Sequence, residues 1–138
     1  MSHLTELKPK FLQKSETELI NSLRQVFGEN SVEVHDTPVR MEGYDRSAAK
    51  KAHIVVRKDA VKKTFHNYGW NDIGYERQED GTYNLYADPT DFPVESQNRI
   101  AQDYAERVAS KKLKAQGYTL KREVMKDGVV KLVATKYG

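Results

Sequence analysis

The chain has 138 residues, 38% hydrophobic and 31% charged, with a net charge of +3 at neutral pH; that length fits one domain with a real core and leaves little room for two. Because it has no cysteine, disulfides, thiolate nucleophiles, iron–sulfur ligation and thiolate zinc sites are excluded. No run of about 18 apolar residues is present, and the opening "MSHLTELKPK" lacks the apolar stretch of a secretory signal. A cytoplasmic protein that does not span a membrane is the expectation.

The elements follow in order. His3, Thr5, Leu7 and Phe11 share one parity, which suits a short strand whose Pro9 marks an edge or an end. Residues 15–28 read as a helix: Ser15 and Glu18 have capping-box spacing, Leu19, Ile20, Leu23, Val26 and Phe27 recur at helical period, and Gly28 stops the run. Val32 and Val34 alternate in a strand that Pro38 closes or bends. "MEGYDRSAAKK" (41–51) reads as an exposed loop and "AHIVVRK" (52–58) as an interior strand. Residues 59–70 fit a short helical turn and an aromatic-rich link.

Residues 71–88, "NDIGYERQEDGTYNLYAD", form a hairpin. Two alternating runs flank Asp80-Gly81, and Gly81 supplies the positive φ of the turn. Pro93 opens a second, longer helix over about 93–116. Its face carries Ile100, Ala101, Tyr104, Ala105, Val108 and Ala115, and Gly117 ends it. Strands near 118–125 and 129–136 repeat the hairpin device around Asp127-Gly128. The order β-α-β-β-β-β-α-β-β, without a linker or a repeat, predicts one α+β domain over 1–138: a mostly antiparallel sheet built from hairpins, with two helices packed on one face.

Charge is segregated. Residues 1–71 carry net +3, residues 72–106 net −7 and residues 107–138 net +7. Such asymmetry points to a charged partner; the alternative, favoured here because neighbouring segments usually touch, is that the acidic and basic blocks fold against each other.

The chemistry-bearing residues are sparse. The four histidines, His3, His35, His53 and His66, show no metal-ligand spacing, and no nucleophile elbow, phosphate loop or dinucleotide fingerprint occurs. Carboxylate pairs lie at turns and at a helix start, where capping explains them. No catalytic residue, metal or cofactor is therefore expected, and the chain leans away from being an enzyme; a metal-dependent or other enzyme without a recognisable motif stands as the third reading. The best nucleic-acid candidate is 57–70, "RKDAVKKTFHNYGW". Arg57, Lys58, Lys62 and Lys63 would meet phosphates, while Phe65, Tyr68 and Trp70 would stack on single-stranded bases. The competing reading seals the core with Phe65 and Trp70, since a lone tryptophan is usually mostly buried. Tyr104, mid-face on its helix, reads as core with a hydroxyl that needs a partner.

Three stretches, "MSHLTELK", "DIGYERQEDGTYNLYAD" and "QDYAERVASKKLKAQGYTLKREVMKDGVVKLV", together resemble the hypothetical-chloroplast-reading-frame thirty-five family. Its members are small proteins of plastids, cyanobacteria, other bacteria and phages, also filed as a domain of unknown function. The chain departs from that pattern at Pro89-Thr90-Asp91-Phe92, where many members have a tryptophan- and glycine-containing stretch. The resemblance transfers no catalytic residue; His3, Asp88 and Tyr104 carry over as motif positions of unknown role. It implies an accessory module that acts through a protein partner or by self-association.

Overall fold

The computed structural model of the protein describes residues 10–43, 50–67 and 69–136. Three helices, α1 (Glu16–Phe27), α2 (Lys58–Phe65) and α3 (Val94–Ala115), accompany strands β1 (Val32–Arg40), β2 (Lys51–Val56), β3 (Ile73–Arg77), β4 (Tyr83–Tyr86), β5 (Tyr118–Val124) and β6 (Val130–Lys136). The α+β class with antiparallel pairing is as expected, but the strands divide into two sheets. β1-β2-β3-β4 form a four-stranded meander, and β5-β6 stand apart as a two-stranded ribbon. The expected first strand lies mostly outside the described residues. Its end is visible beside β4, where Leu12 bridges Thr82 and Tyr83 N–H donates to Phe11 O at 2.9 Å.

Local signals explain most elements. The turn between β3 and β4 closes through Gln78 N–H to Thr82 O (2.8 Å), and Gly81 sits at φ 85°, as the Asp-Gly step requires. Pro38 does not end β1. It lies within a register shift between Val34 and Val39 on an edge strand, where a missing N–H is tolerated. The capping box of α1 does not form. A 3₁₀ turn, Gln13–Ser15, runs straight into the helix, Ser15 makes no side-chain cap bond, and Glu18 turns to Lys111 instead.

All three helices cover one face of the meander. Leu19, Leu23 and Phe27 of α1, Val61 of α2 and Ile100, Ala101 and Tyr104 of α3 meet Ile54, Val56, Ile73, Tyr75 and Tyr83. Each large side chain buried there contributes about 1.5–3 kcal/mol. A smaller cluster of Met41, Ala52 and Val55 packs on the opposite face. Gly74 is obligatory beneath it, because a Cβ there would run into Met41 Sδ and lie 2.7 Å from Ala52 Cβ.

Candidate functional site

The segment 57–70 begins at a polar junction. Asp72, fully buried, accepts hydrogen bonds from Lys58 N–H (2.7 Å), Glu42 N–H (2.8 Å) and Arg57 Nη1 (2.9 Å). It thereby caps the first turn of α2 from a distant part of the chain. Arg57 also makes two bonds to Glu33, at 2.9 and 3.1 Å, and one to Arg40 O. Its charge-assisted bond to Glu33, more than any other effect, raises the guanidinium pKa, and the same bond holds the Glu33 carboxyl below its ordinary value. Arg57 is thus engaged inside the protein. Lys58 reaches Glu42 at 3.6 Å.

The other members of the segment separate. Lys62 and Lys63 are exposed and make no ion pair with the described residues. Phe65 packs on the core, edge-on to Phe27 and stacked on Phe92. Tyr68 lies outside the described residues. Trp70 does not seal the core: it is 46% exposed. The loop that carries it is held by Asp91. This buried carboxylate accepts Trp70 N–H at 3.1 Å and Asn71 Nδ2 at 2.8 Å, while Asn67 Nδ2 donates to Asp91 O at 2.7 Å. Gly69, at φ 59°, passes so close to α2 that a Cβ would stand 2.5 Å from Lys62 Cβ. Trp70 is therefore exposed on a constrained loop that packs against α2, the helix carrying Lys62 and Lys63.

Of the motif positions, His3 lies outside the described residues. Asp88 closes a turn, its Oδ1 accepting Thr90 N–H at 2.9 Å and its carbonyl accepting Phe92 N–H at 2.8 Å. Tyr104 is buried. Its hydroxyl accepts Leu12 N–H at 2.9 Å rather than meeting a carboxylate, and its ring packs edge-on to Phe11. Both residues are engaged in hydrogen bonds within the fold.

A second network joins elements far apart in sequence. Arg77 makes two bonds to Glu16, both 3.1 Å, with the Tyr83 hydroxyl between them donating to Glu16 Oε2. His53 Nδ1 accepts Arg77 N–H at 3.1 Å. Burial, then the nearby Arg77 charge, lowers the His53 pKa, and burial with the Glu16 contact pushes Tyr83 up to about 12. No sequence spacing signalled this cluster, since its members lie on α1, β2, β3 and β4.

The basic block behaves differently. After Tyr104 no described residue is buried, through the second half of α3 and the β5-β6 ribbon. The expected cancellation of the acidic and basic blocks is confined to their seam, at Arg107–Asp103 and Arg122–Glu106, both 2.7 Å. Lys111 pairs with Glu18 at 3.2 Å. Lys112, Lys114, Lys126 and Lys131 make no ion pair among the described residues, and Val124, Met125 and Val129 are exposed around the ribbon's turn. Cancellation fails because the ribbon is not a strand of the main sheet. It lies along α3.

Among the described residues, no group of three or more histidines and carboxylates is placed to hold a metal, and no helix is long and apolar enough to cross a membrane. A family model described as "Protein of unknown function (DUF1257)" matches residues 26–133. No curated protein and no solved structure matches the chain.

Proposed function

This chain belongs to the DUF1257 family, and we propose that it is an accessory binding module that engages a macromolecular partner through its C-terminal basic arm. We take the arm to be the second half of α3 with the β5-β6 ribbon. One observation carries the proposal: from Arg107 onward the chain holds net +7, yet Lys112, Lys114, Lys126 and Lys131 make no ion pair among the described residues and none of the block's described residues is buried. The ribbon packs along α3, and a partner would cover the rest of the arm. A protein with an acidic face, or a second copy of the chain, fits this role in a cytoplasmic setting. The resemblance to the hypothetical-chloroplast-reading-frame thirty-five proteins supports an accessory role of this kind.

The test is affinity capture from the native host, comparing the parent with Lys112→Glu/Lys114→Glu/Lys126→Glu. The parent is expected to retain a partner at low salt that the triple variant loses. Identical captures by both proteins would overturn the assignment to the arm.

A second reading rests on Trp70. Its exposure on the loop that follows α2, which carries the exposed Lys62 and Lys63, suits stacking of a single-stranded base with phosphates on the lysines, and Trp70 fluorescence should then respond to single-stranded DNA or RNA at low salt. A flat titration with both removes this reading.

A further inference from the structure

Building on the arm as the contact surface, we infer that the β5-β6 ribbon binds double-stranded DNA, lying in a groove with its outward face toward the phosphates. The register fixes which side chains share each face. Arg122 stands opposite Leu132, Leu120 opposite Ala134, and Tyr118 opposite Lys136. Because Arg122 Nε reaches Glu106 on α3 at 2.7 Å, this face turns toward the helix. Alternation then places Thr119, Lys121, Glu123, Lys131, Val133 and Thr135 on the outward face.

The chemistry of the outward face selects the partner. Thr119, Lys121, Lys131 and Thr135 are all exposed there. Lysines and hydroxyls at this density match the donors that contact DNA phosphates. Glu123 is its lone carboxylate, 3.9 Å from Lys121 Nζ. Lys126 in the turn adds a further exposed positive charge at the ribbon's end. A two-stranded ribbon has the width that the B-form major groove admits, while the deep, narrow major groove of duplex RNA does not. Among the described residues, the ribbon's exposed large hydrophobic side chains, Val124, Met125 and Val129, lie at its end. An apolar tip on a basic ribbon suits insertion against base edges or between base steps.

The experiment is fluorescence anisotropy of a labelled duplex DNA titrated with the full chain over a series of salt concentrations. Three lysines on phosphates, Lys121, Lys126 and Lys131, give a slope of log K against log salt of about −2.7. Lys121→Gln/Lys131→Gln should make the slope shallower by about 2, whereas Lys62→Gln/Lys63→Gln should leave it unchanged. These positions are exposed, and an unchanged melting temperature confirms that each variant is folded. Three results would overturn the inference: no duplex binding at low salt, binding insensitive to the ribbon variant, or equal affinity for duplex RNA or single strands. If DNA fails to bind while the triple variant still loses a captured protein, the arm remains the contact surface and only its partner changes. If the captures are also identical, both proposals fall.

Discussion

Replacing Asp72 with alanine removes three hydrogen bonds at one buried point. Lys58 N–H and Glu42 N–H lose their acceptor at 2.7 and 2.8 Å, and Arg57 keeps only Glu33 and Arg40 O. Each buried donor left without a partner costs about 1–3 kcal/mol, and taking one member from a buried charge pair costs about 3–5 kcal/mol in total. Because these losses share one site they do not add in full, so the expected destabilisation is about 3–5 kcal/mol. In a chain of this size that lowers the melting temperature by roughly 10–20 °C. Asp72→Asn keeps one acceptor oxygen and should lose about 1–3 kcal/mol. Thermal melts and urea titrations of the parent and both variants provide the assay. Should Asp72→Ala melt within about 3 °C of the parent, Asp72 is not what fastens α2 to β3.

Glycine positions separate strain from collision. Gly81→Val, at φ 85° with open space around its Cβ, should cost about 1–3 kcal/mol by strain alone, whereas Gly69→Ala adds a clash with Lys62 Cβ and Lys58 O and should melt lower, as paired thermal melts will show. The lowered His53 pKa means that the unfolded chain takes up the proton first as pH falls. Stability present above pH 6.5 should therefore decline toward acid, and His53→Asn should flatten that decline in urea midpoints at pH 7.5 and 5.5. Tyr104→Phe leaves Leu12 N–H without its acceptor and should cost about 1–3 kcal/mol in a urea titration. Asp88→Asn keeps an acceptor for Thr90 N–H and should melt close to the parent; loss of partner binding in that folded variant would make Asp88 functional.

Much of the fold was legible because its signals are local. Gly28, Asp80-Gly81, Pro93 and Asp127-Gly128 each punctuate the chain where an element ends or begins. The split into two sheets was not legible: alternation reports that residues 118–136 form strands, not which strand they lie beside. Nothing local marks Asp72 as the cap of α2 or joins Glu16 to Arg77, because both contacts depend on tertiary placement. Trp70 illustrates the reverse case, in which hydrophobicity suggested burial and a loop fixed by Asp91 and Gly69 keeps the ring exposed. The basic block was visible as composition; its failure to cancel follows from ribbon placement alone.

The most direct test of the arm as the contact surface is lysine footprinting, with an amine-reactive reagent applied to the free protein and to the complex captured from the native host, read by mass spectrometry. The expected result is protection at Lys112, Lys114, Lys126 and Lys131, with Lys62 and Lys63 modified equally in both samples. Protection at Lys62 and Lys63 with the arm unchanged would contradict it and move the contact surface to α2 and Trp70.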